Sequence, residues 1–84
     1  MAGQDGFLCH FGGHIKDLFN DAATIEIWNC PALPRGTVVT VPKANFARQS
    51  FSTGVRAGDY VEGNVFKTYD PKDPYEFRYV TKIM

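Results

Sequence analysis

Three observations predict a mainly β chain, folded as a small five-stranded OB-like barrel with one or two short helical segments. Apolar and polar residues alternate in several short runs, the period of a half-buried strand. Glycine, proline, asparagine and aspartate punctuate those runs as turns would. Helical spacing occurs only in short stretches, one of them between the third and fourth strands. Five strands in that order suit a small Greek-key barrel. An SH3-like barrel, or a curled antiparallel sheet with one helix, satisfies the same pattern.

The clearest hairpin is the last one. Tyr60 to Tyr69 is rich in aromatic and β-branched residues, which favour a pleated, half-buried surface. Asp70-Pro71-Lys72-Asp73-Pro74 follows, where two prolines remove backbone donors and the aspartates favour a turn. Glu76 to Met84 then alternates, with Phe77, Tyr79, Thr81 and Ile83 on one face and Arg78, Val80, Lys82 and Met84 on the other. Gly63 lies inside the fourth strand, where a barrel needs a bend or bulge.

Earlier in the chain, Gly6 to Phe11 reads as the first strand, ended by Gly12-Gly13. His14 to Asn20 places Ile15, Leu18 and Phe19 at helical spacing and predicts a short helical turn. Thr24 to Cys30 alternates as a second strand, and Pro31 to Gly36 is a rigid turn. Thr37 to Val41 is a β-branched third strand, stopped by Pro42. Lys43 to Ser50 suits a short helix or irregular turn, and Phe51 to Val55 a brief extended piece.

The chain has 84 residues, enough for one domain, 1–84, near the size at which a core alone suffices. Its formal net charge is zero, which argues against nonspecific coating of nucleic acid. Charge is nevertheless uneven: residues 31–58 carry Arg35, Lys43, Arg48 and Arg56 without a carboxylate. No basic segment precedes an apolar run, and no apolar run reaches membrane-spanning length. A soluble, cytoplasmic protein is therefore expected, with Cys9 and Cys30 as free thiols. Whether those two could bridge depends on strand placement, which the spacing leaves open.

Two stretches carry a family resemblance. Asp5-Gly6-Phe7-Leu8-Cys9-His10-Phe11-Gly12-Gly13-His14-Ile15 is similar to the second aromatic nucleic-acid motif of cold-shock domains. Gly58-Asp59-Tyr60-Val61-Glu62, with Val80-Thr81-Lys82-Ile83, is similar to the closing strands of cold-shock and S1-like barrels. The resemblance covers about a third of the chain. It implies an OB-type barrel and base stacking by Phe7, His10 and Phe11.

Candidate chemistry is sparse. Cys9, His10, His14 and Cys30 have metal-ligand character, but Cys9 and His10 are adjacent on a strand and point to opposite faces. Zinc takes four converging ligands, so no metal or other cofactor is expected. Cys9, His14 and Asp17 form a conceivable nucleophile set without a flanking signature, and no enzyme activity is expected.

Binding is better supported. Seven Phe, four Tyr and one Trp are more rings than so small an interior encloses. The leading expectation is a non-enzymatic protein-binding module, a compact inhibitor or adaptor of the kind phages and other mobile elements encode. Its contacts would be Phe46, Arg48, Phe51, Arg56, Tyr69 and Tyr75, rings anchoring and arginines pairing with carboxylates. The alternative is single-stranded nucleic-acid binding through Phe7, Phe11, Phe46, Arg48, Phe51 and Arg56. Self-association is a third expectation.

Overall fold

A computed structural model describes residues 6–47 and 54–83. Five strands make up one antiparallel sheet: β1 (Phe7–Leu18), β2 (Ala22–Asn29), β3 (Val38–Pro42), β4 (Tyr60–Lys67) and β5 (Tyr75–Lys82). Their order across the sheet is β3-β2-β1-β4-β5. The sheet curls strongly into a half-barrel, the mainly β, barrel-like architecture expected from the alternating runs.

β1 produces the curl. It is 12 residues long and shares its length between two neighbours. Phe7 to His14 pairs with β4, whereas Gly12 to Leu18 pairs with β2, so the two ladders overlap only around Gly12–His14. Register shifts near Leu8, Lys16 and Trp28 mark where the strands bend, as bulges do at barrel corners. The far edges approach one another just after β3. Phe46 forms a parallel bridge with Val80, Ala47 N–H donates to the Val80 carbonyl at 2.7 Å, and the Asn45 amide donates to the Phe77 carbonyl at 2.9 Å.

The interior follows from the alternation. Ala23, Ile25 and Ile27 of β2 face inward, with Val41 of β3 and Val61 and Val65 of β4. Burying each Val or Ile side chain contributes about 1.5–3 kcal/mol. Phe11 and Phe77 meet edge to face within this core at 5.2 Å.

Two local expectations are corrected. The expected helical turn at His14–Asn20 is strand through Leu18. Ile15 is buried opposite Ile25, but Leu18 and Phe19 are exposed, so the helical spacing is not used to bury a face. Gly12 and Gly13 do not end the strand; they lie in its middle. The helical content of the described residues is one 3-10 turn, Lys43–Asn45, and the remainder of the expected 43–50 helix falls mostly on residues outside those described.

β5 also departs from its expected faces. Phe77 and Val80 are buried, whereas Tyr79 is 63% exposed. Gly63 stands at a register shift between Glu62↔Thr81 and Asn64↔Arg78, and Tyr79 takes a left-handed φ of 57°. This bulge adds one residue to β5 and moves the core-facing set from odd to even positions. No helix among the described residues is long and apolar enough to cross a membrane.

Candidate functional site

The outer face of β1 and β4 is built from four cross-strand pairs: Phe7↔Phe66, His10↔Asn64, Gly12↔Glu62 and His14↔Tyr60. Side chains opposite one another on a sheet face lie close enough to pack, and three of these pairs do. Phe7 meets Phe66 edge to face at 5.6 Å and His10 at 5.5 Å. Nδ1 of His10 donates to the Asn64 amide oxygen at 2.7 Å. His14 sits between Trp28, at 4.8 Å, and Tyr60, at 5.2 Å, both edge to face.

A guanidinium closes each end of this ring band. Arg35 lies 4.1 Å from the centre of the Trp28 ring, and Arg78 lies 4.5 Å from that of Phe66. Such cation–ring contacts contribute about 0.5–1 kcal/mol at exposed sites. Arg78 also pairs with Glu76 at 2.7 Å, and this partner, opposed by burial, holds the Glu76 carboxyl below its ordinary value.

The band is interrupted at Gly12. With no side chain there, the floor of the face drops opposite Glu62, and Tyr60 lies across the glycine. A Cβ at position 12 would collide with the Tyr60 hydroxyl. The interruption is a groove of about 660 Å³, lined by His10, Gly12, Asn29, Tyr60, Glu62 and Asn64 among others. Tyr60 donates its hydroxyl to Oε2 of Glu62 at 3.3 Å. Burial, and then the Glu62 charge, raise the Tyr60 pKa, so the phenol stays a donor. Among the described residues no lysine or arginine forms an ion pair with Glu62. Nδ1 of His14 is buried without a hydrogen-bond partner among the described residues.

The residues singled out from sequence are scattered. Phe46 is 5% exposed and Phe11 2%, and both are core; neither ring is available as an exposed anchor, because the half-barrel closes over them. Arg48 and Phe51 lie outside the described residues. Arg56 is exposed in the turn before β4, where its N–H donates to Asp59. Tyr69 is 99% exposed at the opposite end of β4, a strand about 25 Å long. Tyr75 is half-buried and packs on the core. Among the described residues, Phe46, Arg56, Tyr69 and Tyr75 are therefore not gathered into one patch.

Of the rings implied by the cold-shock resemblance, Phe7 and His10 stand in the band and Phe11 does not. Trp28, Glu62 and Asn64 were not singled out as site residues, and His14 was singled out only for metal or nucleophile chemistry. Alternation on β2 was enough to place Trp28 opposite Ile25 and Ile27. The remainder became neighbours only through the β1–β4 register.

The four residues with metal-ligand character separate in space. His10 and His14 belong to the outer face, whereas the Cys9 and Cys30 sulfurs sit 3.7 Å apart at the edge of the core. Burial, and then the neighbouring Cys30 sulfur, raise the Cys9 pKa. No protein family, characterised protein or solved structure matches this chain.

Proposed function

We propose that this protein is a non-enzymatic binding module, an inhibitor or adaptor that docks on another protein through the ring band of β1, β2 and β4. The observation that carries this reading is the grooved band itself: exposed rings already braced against one another, beside a groove lined by Gly12, Tyr60 and Glu62. Trp28 is 46% exposed and Phe7 42%, so each keeps area for a partner. Aromatic anchors around a central pocket are the usual energetic centre of a protein interface. Glu62, free of an intramolecular cation pair among the described residues, favours a partner that inserts a lysine or arginine into the groove.

The test is capture from lysate by the wild-type chain and by two variants. A Phe7→Ala/Trp28→Ala double variant is expected to lose a protein captured by the wild type, and Tyr69→Ala to keep it, with or without nuclease. Capture that disappears on nuclease treatment, or that survives the double variant, overturns the reading.

A second reading, single-stranded nucleic-acid binding, is favoured by one feature of the band. Arg35 over the exposed Trp28 ring pairs a stacking plane with a cation, the combination single-strand binders use, each stack contributing about 1–3 kcal/mol. Glu62 in the groove opposes it by repelling phosphate. Oligonucleotide affinity that falls linearly with log salt and vanishes in Trp28→Ala would establish this second reading.

A further inference from the structure

Cys9 and Cys30 are 21 positions apart, yet their sulfurs lie 3.7 Å from one another. Both are free, half-buried thiols. They meet where two strands part. Cys9 pairs with Val65 of β4, Cys30 is the first residue beyond β2, and pairing of β1 with β2 stops at Gly12↔Asn29. No ladder pair joins the two cysteines themselves; the Gly12↔Asn29 pair holds this end of β2 against β1, and the two side chains meet just beyond it.

The contact also underlies the groove. Cys9 immediately precedes His10 and Phe11, and Cys30 stands between Asn29 and Pro31; all four of those neighbours line the groove. A disulfide holds its sulfurs about 2.0 Å apart. From 3.7 Å, the sulfurs must approach by less than about 2 Å to reach bonding distance.

We propose that Cys9 and Cys30 are a disulfide-forming pair whose closure fixes the groove wall made by His10, Phe11, Asn29 and Pro31. The bond is independent of any partner; its role in regulating docking rests on the functional reading above. The oxidant is a small disulfide such as oxidised glutathione. One cysteine thiolate attacks a sulfur of the oxidant, forming a mixed disulfide and expelling one glutathione thiolate. The second cysteine thiolate then attacks the protein-bound sulfur and expels the other glutathione. Two protein thiols lose two protons and two electrons, and the oxidant is reduced to two thiols.

The experiment treats the full chain with oxidised glutathione, quenches with acid, and measures intact mass and backbone amide shifts. The expected product is a monomer lighter by two hydrogens, free of glutathione and restored by dithiothreitol. Persistence of both thiols, a stable glutathione adduct on the wild type, or a disulfide-linked dimer overturns the bond. The amides of His10 and Asn29 are expected to shift on oxidation, with no shift in a Cys9→Ser/Cys30→Ser variant. A bond that forms without moving those amides overturns the groove-fixing half. Failure of the docking reading is seen separately, because the Phe7→Ala/Trp28→Ala test is run on fully reduced protein.

Discussion

The ring band across β1 and β4 and the turn between β4 and β5 both present aromatic side chains, but only one of them holds its rings in place. The turn is well made in its backbone. Thr68 Oγ1 donates to the Asp73 carbonyl at 2.6 Å, Lys72 N–H to Oδ1 of Asp70 at 2.9 Å, and Thr68 N–H to the Pro74 carbonyl at 2.8 Å. Tyr69 nevertheless projects almost wholly into solvent. In the band, Phe7, His10, His14, Trp28 and Tyr60 each touch another ring. Ordering a free side chain on binding costs about 0.5–1.5 kcal/mol, and the band has met much of that cost on folding. A rigid loop does not make a rigid anchor.

Within the band, two adjacent glycines separate stability from recognition. Gly13 faces the core, where a Cβ would lie 2.5 Å from the Glu26 carbonyl oxygen and 2.9 Å from Cγ2 of Ile25. Backbone cannot swing aside, so Gly13→Val is expected to cost about 3 kcal/mol or to prevent folding, read as a fall in the urea midpoint. Gly12→Ala meets the far end of a side chain instead. Its expected cost is near 1 kcal/mol, with native circular dichroism retained, Tyr60 displaced and partner capture lost. Equal destabilisation by the two variants would abolish the distinction between the inner and outer faces of β1.

Acid sharpens the contrast with a smaller effect. Glu76 is held below its ordinary value of 4.5 chiefly by the Arg78 hydrogen bond, and Asp59 below 3.8 chiefly by the Arg56 N–H. A depressed folded pKa contributes stability that is complete above the unfolded value and fades as pH falls through the folded one. Melting temperature is therefore expected to hold from neutrality down to about pH 5 and to decline below the ordinary carboxylate values. Glu76→Gln should flatten part of that decline and loosen Arg78 from Phe66, seen as shifted Phe66 ring resonances. An unchanged acid profile would mean that the Glu76 pair contributes nothing to holding this end of the band.

The smallest expected effect belongs to the turn. Tyr69→Ala should change unfolding free energy by less than about 0.5 kcal/mol, as surface substitutions usually do, and leave partner capture intact. Loss of capture in this variant would reverse the comparison and make the projecting loop the anchor.

Much of the sheet was readable from residue order. Ile25 and Ile27 alternate with Glu26 and Trp28, and that period is decisive when one face is buried. β1 was misdivided because Gly12-Gly13 resembles a stop and because Ile15, Leu18 and Phe19 have helical spacing. The glycines are present instead because Glu26 backbone and Tyr60 occupy the space of a side chain. β5 reads from sequence as one unbroken alternation, since nothing local announces that Tyr79 adopts a left-handed bulge.

The periodicity of apolar residues along the chain was sufficient to specify strands, turns and a curled barrel, because alternation acts between residues a few positions apart. The binding face required the folded molecule. Its groove depends on Gly12 standing opposite Glu62, and its thiol pair on Cys9 standing beside Cys30. Those neighbours are set by strand register and bulges, and a shift of one residue would have turned each side chain to the other face.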